Sequence, residues 1–258
     1  MALDEYSKRE FTVVGTRPVR QDGIDKVTGR AQYGADFSLP GMLHAVALRS
    51  PHAHARIKSI DTSAALALPG VKAIVTSADF ATNHDVQSVQ DHCLARDKAM
   101  YDGHAVAAVA ATSAAVARKA LKLIKVDYEI LPHVTDIETS MKPGAPIVQE
   151  GRRGRKVPAH YSDNATGFCE FGHGDIEAGF AKADLIVERT FKTSSTHQGY
   201  VEPHACLASV GNDGRADLWC CTQGHFQVRN LCSKMLNMDQ SALRVTASEI
   251  GGGFGGKT

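Results

Sequence analysis

Apolar residues along this chain come in short runs, and their spacing switches from strand-like to helix-like and back. Residues 43–49 (LHAVALR) and 71–76 (VKAIVT) have the composition of strands. Between them Asp61-Thr-Ser precedes AALAL, which predicts an N-cap and a short helix stopped by Pro69-Gly70. A second such unit follows. Residues 104–110 (HAVAAVA) predict a buried strand, Thr112 or Ser113 caps a helix through Ile124, and residues 126–130 predict a strand closed by Leu131-Pro132. Val116, Ala120, Leu123 and Ile124 share one face of that helix, which suits packing on a sheet.

The pattern weakens over residues 136–173. Pro143, Pro146, Pro158 and several glycines predict turns and exposed coil, so a domain boundary is expected there. The basic run Gly151-Arg-Arg-Gly-Arg-Lys156 could hold a phosphate or a partner; with no aromatic interleaved, a solvated linker is the preferred reading. Beyond it, Asp175 can cap a short helix through Lys182, and residues 184–192 (DLIVERTFK) alternate like a half-exposed strand. Residues 205–210 and 216–221 flank Gly211-Asn-Asp-Gly214, a hairpin signal because Asn and Gly tolerate positive φ. Val228, Leu231, Cys232, Met235 and Leu236 recur at helical spacing, and residues 243–247 predict a last strand. The fold class expected is α/β in the broad sense (α+β), with residues 1–23 polar and reaching across a surface.

Composition adds mostly exclusions. The chain has 258 residues, 43% apolar and 22% charged, enough for one large or two smaller domains with real cores. A net charge of +1 gives no global field for nucleic acid or an anionic membrane. No apolar run approaches the ~18 residues of a membrane span, and the polar start MALDEYSKRE does not read as a secretory signal. The six cysteines show no C-x-x-C spacing, which disfavours a zinc knuckle, a redox dithiol or an iron–sulfur cluster on this chain; a cytoplasmic protein with reduced thiols is expected.

The candidate chemistry gathers at EIGGGFGGKT, residues 249–258. Gly251, Gly253 and Gly256 fit the dinucleotide fingerprint G-x-G-x-x-G, while Gly251, Gly256, Lys257 and Thr258 fit the P-loop G-x-x-x-x-G-K-[ST]. Both motifs need a helix opening at the motif to aim backbone N–H groups at phosphate, and none follows in the sequence. Two readings remain: a glycine turn that only packs tightly, or a backbone platform that touches a bulky polar cofactor with no Cβ in the way.

Five stretches decide between them. They are Asp22-Gly-Ile-Asp-Lys-Val-Thr-Gly29 with Tyr33, Arg49-Ser-Pro-His-Ala-His-Ala-Arg-Ile57, Asp102-Gly-His-Ala-Val-Ala-Ala-Val109 leading to Val126-Asp-Tyr-Glu129, Val201-Glu-Pro-His-Ala-Cys-Leu-Ala208, and Thr222-Gln223 followed by Gly251-Gly-Gly-Phe-Gly-Gly256. In this order they resemble the large, molybdenum-binding subunit of the xanthine dehydrogenase and aldehyde oxidase family of molybdenum hydroxylases. The resemblance implies an N-terminal extension (1–26), a hammerhead α/β domain (27–135), a linker (136–164) and the first, incomplete part of a molybdopterin-binding α+β domain (165–258).

It also implies roles. Gln223 matches the family glutamine whose side-chain amide reaches an oxo ligand of the metal, and Gly252, Gly253, Phe254 and Gly255 match the loop against the molybdenum end of the pterin. No residue of this chain is then a direct metal ligand. Family members insert oxygen from water into a C–H bond of an aldehyde, N-heterocycle or related small molecule, while some relatives oxidise carbon monoxide or reduce aromatic thioesters. Their cofactor is molybdopterin, in some members as the cytosine dinucleotide, and electrons leave through [2Fe–2S] clusters and usually FAD.

The family's general-base glutamate lies beyond Thr258, and several relatives carry a glutamate where Thr258 stands, so no catalytic residue is assigned in this chain. The expected partners are the C-terminal remainder of the large subunit or a second molybdenum-binding chain, an iron–sulfur subunit and an FAD subunit. Nucleic acid and a membrane span are not expected. The alternative is a non-catalytic assembly module or truncated subunit without cofactor. His52 and His54, two apart and so expected on one side of a strand, together with His104 and His204, are assigned no metal. Glu202-Pro203-His204 is read as structural rather than as an acid–base pair, and Cys220 and Cys221 as packing residues.

Overall fold

The computed structural model describes residues 10–82 and 89–257. The expectation for the first nine residues of the polar start, and both readings of Thr258, fall outside them. In chain order the first elements are α1 (Gly23–Thr28), β1 (His44–Arg49), β2 (Ala55–Asp61), α2 (Ser63–Leu66), β3 (Val71–Thr76), α3 (Val89–His92), β4 (Lys98–Ala99) and β5 (Ala105–Ala111). There follow α4 (Ala114–Leu121), β6 (Lys125–Ile130), α5 (Ile137–Met141), α6 (Ile176–Ala181), β7 (Cys206–Val210), β8 (Ala216–Cys220), α7 (His225–Leu236) and β9 (Leu243–Ala247). No helix among the described residues is long and apolar enough to cross a membrane. The chain divides into two compact units.

The larger unit comprises Ser38–His197 and Phe226–Arg244. Its β5 is a run of alanine and valine that serves as the middle strand of an antiparallel sheet, β1-β5-β3. Val109 sits opposite Val46 on one side and Ile74 on the other. The small residues of β5 let α4 lie close, and Ala107, Val109, Ala111, Ala117, Ala120 and Ile124 form the core with Ala65 of α2. Burying Val109 of this core stabilises the unit by about 1.5–3 kcal/mol. Ser113 is the cap of α4, its Oγ accepting from Val116 N–H at 3.2 Å. The helix ends at Leu121, not Ile124. Leu123 and Ile124 bond to carbonyls three residues back, so the chain tightens into a turn before β6 while both side chains still reach the core.

The second sheet, β4-β2-β6, pairs Ile57 with Tyr128. His52 and His54 lie in bends ahead of β2, not on a strand. His52 meets the Tyr128 ring edge-on at 5.0 Å, while buried His54 contacts the Pro132 carbonyl through Nδ1 at 2.7 Å. Buried His104 stacks on Tyr101; its Nδ1 accepts from Met100 N–H, so its Nε2–H donates to the His92 carbonyl at 2.9 Å. Among the described residues no group of His, Cys, Asp and Glu could hold a metal.

Arg153 of the basic run is engaged with Asp163 and with the carbonyls of Val157, Pro158 and Tyr161. It thus ties a turn-rich stretch in which Val157, Ser162 and Ala165 are buried. Asp175 caps α6 as expected, accepting from Ala178 N–H. Residues 184–192 do not form a strand. No strand pairs with them among the described residues, and Leu185, Ile186, Val187 and Phe191 are exposed on both faces of the alternation. Strand composition makes a strand only where a neighbour supplies the ladder.

The smaller unit comprises Gln198–His225 with residues up to Phe37 and from Val245. Its sheet has the order β7-β8-β9. The β7–β8 hairpin forms where the sequence predicts it, with Leu207 opposite Trp219. Only Gly214 takes positive φ (+77°); Asp213 completes the turn by accepting from Arg215 N–H.

Candidate functional site

The glycine run extends β9 and is stitched to other segments of the smaller unit, at Gln32, at Glu202 and at Cys220 to Gln223. Ser248 N–H donates to Cys220 O, and Glu249 N–H donates to Gln32 O. Gln223 N–H and Thr222 Oγ1 both donate to the carbonyl of Lys257, at 2.7 and 3.0 Å. Gly256 N–H closes a tight turn on Gly253 O at 2.8 Å. Within that turn Phe254 is 72% exposed and has φ +49°, a left-handed conformation in which a bulky residue is a strained outlier.

Gln223 reaches this turn from the end of β8. Its carboxamide oxygen accepts from Gly255 N–H at 3.0 Å. That bond fixes which end of the amide is oxygen, so the side-chain NH₂ is left as a pair of donors with no acceptor among the described residues. The approach is close. A Cβ on Gly253 would lie 2.6 Å from the Gln223 carboxamide carbon, so only glycine leaves room for the side chain there. The N–H groups of Gly252, Gly253 and Phe254 also find no acceptor among the described residues. Three consecutive amides and one carboxamide NH₂ therefore give this turn a neutral, donor-rich nest-like segment, a chemistry suited to an oxygen-rich or anionic group.

The residues around the run settle the phosphate motifs. Lys257, the lysine of the P-loop match, is buried with its Nζ 2.7 Å from Glu202 Oε2 and 4.8 Å from the centre of the Tyr200 ring. It is not available to a nucleotide phosphate. No helix opens within residues 251–257, where the dinucleotide fingerprint would need one to begin.

Glu202 and His204 do not act as a pair. Glu202 accepts from Gly34 N–H (3.2 Å), Gly251 N–H (2.8 Å) and Lys257 Nζ, whereas His204 Nε2 meets Tyr200 OH at 2.7 Å. Burial by itself would raise the Glu202 pKa, but the Lys257 ammonium and the Gly251 and Gly34 amides outweigh it and hold the carboxyl below its ordinary value. Cys220 and Cys221 are both buried, and Cys221 Sγ accepts from Ala205 N–H. The Glu202–Lys257 pair is the part of the site that sequence reading missed. The signal available was a lysine closing an otherwise apolar glycine run, a position where a charge needs a buried partner.

Comparison with known proteins shows the family. Residues 28–132 match the a/b hammerhead domain of aldehyde oxidase and xanthine dehydrogenase, and residues 158–258 match the molybdopterin cofactor-binding domain. The chain is 36% identical to the carbon monoxide dehydrogenase large chain of Afipia carboxidovorans, over 95% of this chain and 31% of that protein. It is 32% identical to the nicotinate dehydrogenase large molybdopterin subunit of Eubacterium barkeri, over 96% of this chain and 56% of that one. Among solved structures, reconstituted CO dehydrogenase from Oligotropha carboxidovorans superposes with a TM-score of 0.80 at 34% identity, covering 95% of this chain and 32% of that one. Quinoline 2-oxidoreductase from Pseudomonas putida 86 gives 0.77 at 30% identity, covering 96% and 32%. The chain thus spans from about a third to a little over half the length of these relatives. Two adjoining domain matches in the family's order, on a fold shared with its solved members, mean that this chain belongs to the xanthine dehydrogenase and aldehyde oxidase family, as the N-terminal part of the large molybdopterin-binding subunit.

Proposed function

We propose that the chain supplies the hammerhead domain and one wall of the cofactor site of a molybdenum-dependent oxidoreductase acting on an aldehyde, an N-heterocycle or a related small molecule. Residues 27–135 form the hammerhead domain, 136–164 the connection, and 165–258 the opening of the molybdopterin-binding domain. The observation that carries this reading is the donor nest on the strained Phe254 turn, with the Gln223 NH₂ beside three amides that have no acceptor among the described residues. Molybdopterin, when bound, supplies the two-electron oxidation and the oxygen-atom chemistry.

This chain's residues bind and orient. The Gln223 NH₂ donates to an oxo-type acceptor without adding a charge, and Gly252, Gly253, Phe254 and Gly255 present backbone to the metal end of the pterin. Relatives named for CO, nicotinate and quinoline oxidation support the reaction class without fixing the substrate. The cytosine dinucleotide form of the cofactor, and [2Fe–2S] and FAD on partner subunits, belong to the same proposal. So does a partner that continues the large subunit, whether as the same or a second polypeptide; the exposed apolar residues 185–187 and Phe191 give it a surface to cover. Six free thiols fit a cytoplasmic setting.

The test is elemental molybdenum in the untagged complex purified from the native host. About one molybdenum per chain is expected, with further polypeptides present, and Gln223→Ala should lower turnover by roughly 10²–10³-fold while the complex stays assembled. A complex free of molybdenum would reduce the chain to an assembly module.

A further inference from the structure

The Glu202–Lys257 pair is not explained by cofactor contact, since both side chains are buried within the smaller unit. Nor is stability a sufficient account. Taking two charges out of water offsets much of their attraction, and a well-packed apolar pair often does as well. What the pair does that an apolar pair cannot is fix directions. One Glu202 oxygen accepts from Gly34 N–H, and the other from both Gly251 N–H and Lys257 Nζ. A single carboxylate thereby joins the first and last residues of the glycine loop to the segment at Gly34. Lys257 extends the connection, because its own carbonyl receives the backbone N–H of Gln223 and the hydroxyl of Thr222. The loop has almost no side chains of its own to hold it, and Gly251 approaches so closely that a Cβ there would lie 2.6 Å from that of Glu202.

We infer that Glu202 and Lys257 are positioning residues: their buried ion pair clamps both ends of the glycine loop and the start of the Gln223 segment, setting the loop amides in place before a ligand arrives. This rests on the proposed cofactor role of the loop only for its functional consequence; the clamp itself is a property of the chain. Flexible glycine backbone would otherwise be ordered at the moment of binding, and a preorganised loop avoids that cost.

The experiment is amide hydrogen exchange on the full chain, comparing wild type with Lys257→Met, Glu202→Gln and the double variant Glu202→Leu/Lys257→Met. The Gly255 and Gly256 amides, bonded to Gln223 and Gly253 and not to the ion pair, are the readout. They are expected to exchange at least roughly tenfold faster in every variant that folds, while the β5 amides keep their wild-type rates. Glu202→Gln, close in shape, serves the comparison if the double variant does not fold. Unchanged exchange at Gly255 and Gly256 in a folded variant would overturn the inference. Molybdenum retained by the purified complexes is the second readout, and it should fall in the same variants. A wild-type complex without molybdenum would sink the functional proposal while leaving the exchange result to decide the clamp.

Discussion

At the scale of single residues, the site depends on two unusual placements, Phe254 in a left-handed conformation and Gln223 pressed against glycine backbone. Phe254 is mostly exposed and anchors no core, so its conformation is imposed by the turn that Gly256 N–H closes on Gly253 O. Phe254→Gly should relieve the strain, and Phe254→Val should worsen it by adding a β-branch. In denaturant unfolding the valine variant is expected to be less stable than the glycine variant by about 1–2 kcal/mol. Gly253→Ala probes the other placement. Its φ is not positive, so the added methyl acts by overlap with the Gln223 carboxamide alone. The side chain must swing away and release Gly255 N–H. Molybdenum retention should drop with circular dichroism unchanged; full retention would mean that Gln223 does not need its present position.

At the scale of elements, local signals were legible and long-range pairing was not. The β7–β8 hairpin, α6 and β3 follow from turn residues, a cap and a short apolar run, all within a few positions of each other. The ends of α4 divide on the same principle. Its start is fixed by Ser113 and was readable, whereas its stop depends on the chain tightening to enter β6. Ser113→Ala should therefore cost about 1 kcal/mol in the unfolding of the larger unit, measured by chemical denaturation, because Val116 N–H loses its acceptor. The two-residue β4 carries no period of its own and the alternation of β2 breaks at the bulge before Ser59, so both exist through pairing, β2 with β6 and β4 with the start of β2. Residues 184–192 fail for the converse reason: their alternation was visible, but no ladder partner stands beside them among the described residues. At the site, the glycines and Gln223 were legible through family motifs. The Glu202–Lys257 pair was not, since nothing in spacing shows which two distant charges will meet when buried.

At the scale of the whole molecule, the two units carry different buried titrating groups, and acid should affect them in sequence. In the larger unit, burial lowers the His104 pKa; the His92 carbonyl opposes the shift and the His92 ring adds to it. Between the ordinary histidine pKa of about 6.5 and the depressed native value, the unfolded chain binds a proton that the folded chain refuses, so stability falls as the pH falls. Protonation would also place a hydrogen on Nδ1, where the ring now accepts from Met100 N–H. In the smaller unit, the depressed Glu202 pKa contributes stability that is present above the ordinary glutamate range and is lost only as the pH drops through the lower native value. Trp219, the chain's one tryptophan, lies in β8 with its ring 6.3 Å from Phe37 and reports on the smaller unit, while β5 amide exchange reports on the larger. Once exchange is corrected for its intrinsic slowing in acid, lowering the pH from 7 to 5 should reduce the protection of the β5 amides while the Trp219 fluorescence holds, with the fluorescence changing further into the acid range. His104→Gln should flatten the first response and leave the second; a β5 response unaltered in that variant would mean that another group carries it.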